Sequence, residues 1–386
     1  MKPTPRRPRR LRTGALVVVA AALLVLLAFT ERDDGHRAEQ PMTTTTITEA
    51  QPTIAAERTT TTGDGRAASG PLLPELTGTA LVLATHLEIG IVDLDTGAVR
   101  SVTLPGHGRY EIVSATGSAA ILRGPGGVFA VPVSPGEGPV LLADPRTGSW
   151  PVASDRPGHV WLVTHTPSTL EAHEVSVEGQ ATGRQFVRSG SFGDPLLVGV
   201  DGGLVIGALG ALHYYDTVKA RTTPIGHGRL LAGSGETIAR ASCEGLQCRL
   251  RLSDVRVGKD VEVQEPPETF VVPEGPSAFS PDGRWLAVDA HTPRGGAVAL
   301  VNVADSRITG VHRSRIDSDS GSIFAFSPDS RWLFLLDPSG TVLAHRLGTN
   351  EPRVIEDLDL GRAVALTAVS APAPLAPSVP SEVPGS

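Results

Sequence analysis

The residues with the clearest chemical potential are two cysteines. Cys243 and Cys248 are the only cysteines among the 386 residues, and four residues stand between them, a spacing that suits the mouth of a hairpin loop. Outside the cytoplasm such a pair forms a disulfide where the geometry permits, and the alternative is two free thiols in a strand pair. Zinc prefers four ligands, and no paired histidines follow at a suitable spacing, so the sequence predicts no metal site here.

Acidic side chains recur in two similar strings, Ser-Pro-Asp-Gly-Arg-Trp and Ser-Pro-Asp-Ser-Arg-Trp. Proline pre-sets φ for a tight turn, glycine takes a positive φ, and an aspartate there bonds its own backbone two residues further on. This turn chemistry is favoured over a ligand role for either aspartate. We therefore interpret these residues as structural turn motifs: Pro281, Asp282, Gly283, Pro328 and Asp329.

Other possible metal ligands also have simpler interpretations. His107 and His227 each lie in a Gly-His-Gly-Arg string, and we expect them to be hydrogen-bonding turn residues. Asp317–Gly321 is similar to the start of a calcium loop, but glycine occupies the fifth position and Pro328 the twelfth, where ligands are needed. An acidic connecting loop is the better interpretation of this segment.

Catalytic signatures are absent from the sequence. It contains no H-E-x-x-H, G-x-S-x-G or P-loop string, and no G-x-G-x-x-G between a strand and a helix. The sequence therefore predicts no catalytic, cofactor-binding or metal-ligating residue and no cofactor. A motif search does not detect carboxylates that are scattered in the sequence and converge in a central channel.

The turn motifs belong to a repeat. Ser280–Ala287 and Ser327–Phe334 lie 47 residues apart, and a period in the forties with short strands is typical of β-propellers. Leu81–Ala84 and Ile89–Gly97 have the pattern of later strands, and Ala363–Val369 that of a lone first strand. The turns of six units fall at positions 117, 158, 202, 235, 283 and 330.

These units predict an all-β propeller of seven four-stranded blades, closed by pairing of the N- and C-terminal strands; six or eight blades are the alternatives. The Ser-Pro-Asp-Gly-Arg-Trp-Leu-Ala string and Val92–Gly97 resemble the WD40-like repeats of bacterial TolB-type and related propellers. The resemblance implies binding of other proteins or small ligands. Trp161, Trp285 and Trp332 occupy equivalent strand positions, where packing between blades is expected.

The segments outside the repeat indicate where the protein resides. Residues 1–12 are basic, and 13–30 carry no charge and would span about 27 Å as a helix, near the thickness of a bilayer. We expect a transmembrane helix with a cytoplasmic N-terminus, and a cleaved signal peptide is the alternative. Residues 31–70 form a predicted Thr-rich disordered linker, 71–370 the propeller and 371–386 a Pro-rich disordered tail.

The sequence thus predicts a single-pass protein of the cell membrane with an extracytoplasmic propeller. The formal net charge of −7 argues against nucleic acid as a partner. The favoured function is a protein-binding or scaffolding module of the cell envelope, whose partner is an unknown envelope protein or small ligand. The alternatives are an exported hydrolase or lactonase-like propeller with a central-channel site, and a sensor that signals inward through a partner membrane protein.

Overall fold

The computed structural model describes the propeller region, residues 70–85, 88–106, 108–244, 247–264, 272–292, 295–313, 322–349, 352–355, 358 and 363–372. The predicted membrane helix 13–30, residues 31–69 of the predicted linker 31–70 and residues 373–386 of the predicted tail lie outside these ranges. Within them, no helix has the length and apolar character needed to cross a membrane.

The described strands form seven antiparallel sheets of four strands each. In chain order they are β1 (Thr79–Ala84), β2 (Ile89–Asp93), β3 (Val99–Val102), β4 (Glu111–Thr116), β5 (Ala119–Gly124), β6 (Gly127–Pro132), β7 (Val140–Ala143), β8 (Trp150–Ala153), β9 (His159–Thr166), β10 (Thr169–Ser176), β11 (Ala181–Ser189), β12 (Leu196–Val200), β13 (Gly203–Ala208), β14 (Ala211–Asp216), β15 (Arg221–His227), β16 (Arg229–Ser234), β17 (Thr237–Glu244), β18 (Gln247–Asp254), β19 (Asp260–Glu262), β20 (Val272–Phe279), β21 (Trp285–Thr292), β22 (Gly295–Asn302), β23 (Arg307–Arg313), β24 (Phe324–Phe326), β25 (Trp332–Leu336), β26 (Val342–Arg346), β27 (Pro352–Val354) and β28 (Ala365–Ser370). A 3-10 turn at Pro145–Thr147 follows β7.

Each sheet is one blade of a propeller. Blade 1 comprises β4 to β7, and blades 2 to 6 continue in order with four strands each. Blade 7 combines β28, as its innermost strand, with β1, β2 and β3. The prediction of seven four-stranded blades is therefore confirmed, and each of the six turn positions found in the sequence joins the first and second strands of a blade.

Blade 7 closes the ring. β28 pairs with β1 along its whole length, from Thr79 opposite Ser370 to Ala84 opposite Ala365. Pairing the two ends of the domain removes the exposed strand edges that an open ring would leave. The predicted closure by N- and C-terminal strands is confirmed.

The hydrophobic core lies between neighbouring blades. Trp161 packs in a cluster shared by blades 2 and 3, Trp285 in one shared by blades 5 and 6, and Trp332 in one shared by blades 6 and 7. Middle strands are buried on both faces, so they appear in the sequence as unbroken apolar runs such as β25. Each of these tryptophans therefore holds its blade against the next one.

The turns between first and second strands have the hydrogen bonds that their sequence requires. Asp282 Oδ1 accepts from the Arg284 N–H at 3.1 Å, and Asp329 Oδ1 accepts from the Arg331 N–H at 3.0 Å. Gly283 has φ 69°, and Ser330 occupies the equivalent position with φ 57°. The Ser330 hydroxyl accepts from the Asp282 N–H of the preceding blade at 3.0 Å, a contact that glycine would lack.

The two cysteines lie at the end of the hairpin formed by β17 and β18. Cys243 and Cys248 are directly opposite each other and form a disulfide, with Cα atoms 3.9 Å apart. The bond therefore joins the two middle strands of blade 4 at the end of the blade that is remote from the Ser234–Thr237 turn.

Replacing both cysteines by serine is expected to lower the free energy of unfolding by about 2 kcal/mol, because a ring this small constrains little chain entropy. Urea unfolding of the double variant and of the oxidised wild type measures the difference. Wild-type protein unfolded in a reducing agent should match the variant, and an oxidised wild type no more stable than the variant would contradict the prediction.

Candidate functional site in the central channel

The innermost strands of all seven blades surround a central channel with a volume of about 700 Å³. Small-molecule and cofactor sites commonly fall in the range of roughly 300–1,000 Å³. Small or apolar residues dominate the lining, among them Ala153, Val198, Gly233 and Phe326. The turns between first and second strands, including Pro281 and Pro328 of the predicted turn motifs, surround one end of the channel. This end is called the channel mouth below.

Hydrogen bonds between turns stabilise the channel mouth. They join five pairs of neighbouring blades. The donor and acceptor of each bond are the Ser370 N–H and the Gly117 carbonyl, the Gly158 N–H and Thr116 Oγ1, the Gly202 N–H and Asp155 Oδ2, the Asp201 N–H and the Gly235 carbonyl, and the Asp282 N–H and Ser330 Oγ. Since each bond ties one blade to the next, the mouth is held in shape before any ligand arrives. A preformed site loses little entropy on binding.

Backbone hydrogen bonds also join neighbouring blades at the opposite end of the channel. The Leu366 N–H donates to the Ser322 carbonyl at 2.9 Å, and the Ser322 N–H donates to the Ile112 carbonyl at 3.2 Å. These bonds connect blades 6, 7 and 1 around the start of their innermost strands.

Two serine hydroxyls in the channel lining lack hydrogen-bond partners. Ser114 Oγ and Ser277 Oγ are both buried and unpaired, and both residues line the channel. A register shift lies beside each of them, between Ile112 and Ser114 in β4 and between Pro273 and Ser277 in β20. Such bulges redirect side chains and are frequent near binding sites. Each of the two oxygens is closed to solvent, so the bulges bury these hydroxyls in the channel wall instead of exposing them to the channel.

The charged residues of the lining, Asp155 and Arg156, are already paired. Arg184 Nη1 lies 2.9 Å from Asp155 Oδ1 and 2.6 Å from Glu174 Oε1, while Arg156 Nη1 lies 2.9 Å from Glu174 Oε2. The Glu174 side chain is fully buried and also accepts from Ser154 and Thr182. Asp155, Arg156, Glu174 and Arg184 are called the Glu174 network below.

The Glu174 network joins blades 2 and 3. Asp155 accepts from the Gly202 N–H of blade 3, and Arg184 donates to the Thr217 hydroxyl of blade 3 at 3.2 Å. The Arg184 guanidinium also lies 5.1 Å from the Trp161 ring centroid, which favours a cation–π contact. The network thus fixes the turn that carries Asp155 and Arg156 at the channel mouth. Across the described part of the chain, no group of three or more His, Cys, Asp or Glu residues could hold a metal ion.

The residues singled out in the sequence occupy different places. Asp282 and Asp329 lie in turns at the channel mouth, whereas the disulfide lies at the opposite end of blade 4. His227 is exposed at the end of β15, where its carbonyl accepts from Arg240. His107 and the acidic segment 317–321 lie outside the described residues.

Sequence reasoning missed Ser114, Ser277 and the Glu174 network. Serine is common in strands, and the two bulges that bring these serines to the channel have no distinct sequence pattern. Glu174 occurs in a strand of ordinary alternation, so its complete burial and its two arginine partners become visible only when blades 2 and 3 are assembled.

No protein-family model matches the sequence, and no curated protein matches it. Several solved propeller structures are similar in backbone. AztD from Citrobacter koseri gives a TM-score of 0.49 at 13% identity, over 77% of this chain and 99% of that chain. A putative 6-phosphogluconolactonase from Bacteroides fragilis gives a TM-score of 0.47 at 15% identity, over 77% of this chain and 100% of that chain. TolB from Acinetobacter baumannii gives a TM-score of 0.43 at 13% identity, over 77% of this chain and 68% of that chain. At these identities the likeness concerns the fold and not the function.

Proposed function

We propose that this protein is a membrane-tethered, extracytoplasmic binding module of the cell envelope, which takes a segment of a protein partner into its central channel. The observation that carries the proposal is the preformed channel of about 700 Å³, which is lined by small and apolar residues and held in shape by hydrogen bonds between neighbouring blades.

The charge pattern of the lining supports a neutral occupant. Both oxygens of Asp155 accept hydrogen bonds, from Arg184 and from the Gly202 N–H, and Arg156 is paired with Glu174. An uncharged peptide segment with apolar side chains and backbone amides therefore suits the channel better than a charged ligand does.

The proposed location rests on the sequence and on the disulfide. The basic residues 1–12 before the uncharged segment 13–30 favour a single-pass anchor with a cytoplasmic N-terminus. Disulfides persist in oxidising compartments, and the Cys243–Cys248 bond accords with an extracytoplasmic propeller. The Ser-Pro-Asp-Gly turns support kinship with the WD40-like, TolB-type repeats.

The channel assignment is tested by a variant that fills the channel. Ala153 is exposed and lines the channel, so Ala153→Trp is expected to abolish retention of a saturable protein partner from envelope extract by the immobilised, oxidised full-length chain. The matched control is Ala181→Trp, at an exposed alanine on the outermost strand of the same blade, and it should retain the partner. Equal retention by both variants would refute the channel assignment.

The second candidate function is an exported hydrolase or lactonase-like enzyme, which the channel volume of about 700 Å³ also accommodates. Metal analysis and native mass spectrometry of the same purified full-length protein separate the two candidates. A stoichiometric metal or small molecule, together with substrate turnover that Ala153→Trp abolishes, would replace the binding-module proposal with the enzyme.

A further inference from the structure

The interface between blades 2 and 3 changes character along its length. At the channel mouth it contains the Glu174 network. The middle is apolar and aromatic, with Phe186 and Tyr215 in an edge-to-face contact at 4.7 Å between ring centroids. The end remote from the mouth contains a second polar group of residues, which the channel site does not use.

The strand registers show which residues meet at that remote end. Arg184 on β11 contacts Thr217 after β14, and Phe186 on β11 contacts Tyr215 on β14. Moving two residues forward along β11 therefore corresponds to moving two residues back along β14. The next step places Arg188 opposite His213. His227 on β15 is paired with Ala211, two residues from His213, and it therefore lies beside the same position.

The electrostatics of His213 agree with this placement. Burial lowers the pKa of His213, and the neighbouring Arg188 and His227 lower it further. Among the described residues no carboxylate raises this pKa, so the three side chains form a basic group of one guanidinium and two imidazoles.

The charge balance of Arg188 differs from that of Arg184 four residues earlier on the same strand. Arg184 is neutralised by Asp155 and Glu174, at 2.9 and 2.6 Å. Arg188 lies over the ring of Phe192, 5.7 Å from its centroid, and no carboxylate oxygen of the described residues comes within 4.0 Å of its guanidinium. Arg188 is only partly exposed, so solvent compensates its charge incompletely.

A further unpaired group lies against the same aromatic ring. His165 contacts Phe192 at 6.4 Å between ring centroids, and His165 Nε2 is buried without a hydrogen-bond partner. This end of the interface therefore contains a planar guanidinium and three imidazoles, and no carboxylate of the described residues lies within 4.0 Å of their nitrogen atoms.

We propose that Arg188, His213 and His227 form an oxyanion-binding notch that takes a single carboxylate or phosphate group. The guanidinium would bind two oxygens of the anion side by side, and the imidazoles would donate further hydrogen bonds. The anion supplies the counter-charge that Glu174 and Asp155 supply at the channel mouth. This notch lies at the opposite end of the blade interface from the mouth, so the proposal is independent of the channel function.

Isothermal titration of the full-length, oxidised protein with sodium phosphate and with sodium acetate, at constant ionic strength, tests the notch. At least one of the two anions should bind saturably with a stoichiometry of one, and the comparison identifies which oxyanion is preferred. Arg188→Gln should weaken binding at least tenfold, and His213→Gln should weaken it severalfold. The matched control is Arg221→Gln, which removes the same charge from an exposed position on β15 and should change affinity less than twofold.

The results decide the proposal in either direction. Equal weakening by Arg188→Gln and Arg221→Gln would show general charge screening and overturn it, as would the absence of saturable binding of both anions to the wild type. If Arg188→Gln fails to fold, as judged by circular dichroism, the His213→Gln variant and the wild-type stoichiometry still decide the outcome.

Discussion

Replacing Glu174 by glutamine is expected to lower the free energy of unfolding by about 3 kcal/mol, because it breaks a buried ion pair and leaves charge without compensation. The Glu174 side chain is fully buried and receives Arg184 at 2.6 Å and Arg156 at 2.9 Å. Two hydroxyls, those of Ser154 and Thr182, also donate to this carboxylate and would lose a charged acceptor. Urea unfolding followed by circular dichroism measures the loss.

The matched control for this change is Glu171→Gln. Glu171 lies on the same strand, β10, with 46% of its side chain exposed, and surface changes of this kind are usually within about 0.5 kcal/mol. Equal stability of the two variants would mean that the Glu174 network does not hold blades 2 and 3 together. A loss confined to Glu174→Gln would support its role in fixing the channel mouth.

Acidification is expected to destabilise the interface between blades 5 and 6. The rings of His312 on β23 and His345 on β26 are in contact, with centroids 4.0 Å apart and planes tilted by 51°, and His345 is 4% exposed. Burial lowers the pKa of His345 to about 4, with a further contribution from His312, and burial also lowers the pKa of His312. Both imidazoles are therefore neutral in the folded protein at pH 7.

The sign of the effect follows from linkage. A histidine with a pKa near 6.5 in the unfolded chain and about 4 in the folded one binds more protons when unfolded between these values. The folded state therefore keeps its full stability above pH 6.5 and loses it progressively as the pH falls toward 4. For His345 alone the total loss is about 3 kcal/mol, since each pKa unit corresponds to roughly 1.4 kcal/mol.

Urea unfolding at a series of pH values between 7 and 4 measures this loss. His345→Gln, which cannot titrate, should show a markedly flatter profile than the wild type. His173→Gln, at a half-buried histidine of β10 that lies outside this interface, serves as the control and should keep the wild-type profile. Parallel profiles for His345→Gln and the wild type would contradict the prediction.

The blade number and the closure of the ring could be predicted from the sequence because both depend on local chemistry. Proline, aspartate and glycine at fixed offsets dictate a tight turn wherever they occur, and Asp282 and Asp329 make the backbone hydrogen bonds that this chemistry requires. The sequence contains a lone first strand near residue 365 and, near residue 81, a unit that lacks its first strand. Both would have an exposed edge, and pairing the two segments covers both edges.

The candidate sites could not be predicted in the same way. Ser114 and Ser277 reach the channel because β4 and β20 each contain a register shift, and such shifts depend on how a strand packs against its neighbours. Likewise, the pairing of Glu174 with Arg156 and Arg184, and of His312 with His345, depends on which strand faces meet between blades.

The sequence by itself determined the repeat, the turns, the seven blades, the strand that closes the ring and the two cysteines placed for a hairpin. These features depend on residues close together in the chain, or on a period that repeats. The tertiary structure decided which charges are neutralised, which hydroxyls line the channel and which cations lack a counter-ion. Those properties arise from contacts between strands that are distant in sequence. The side chains involved become buried and desolvated only when the blades pack around the axis.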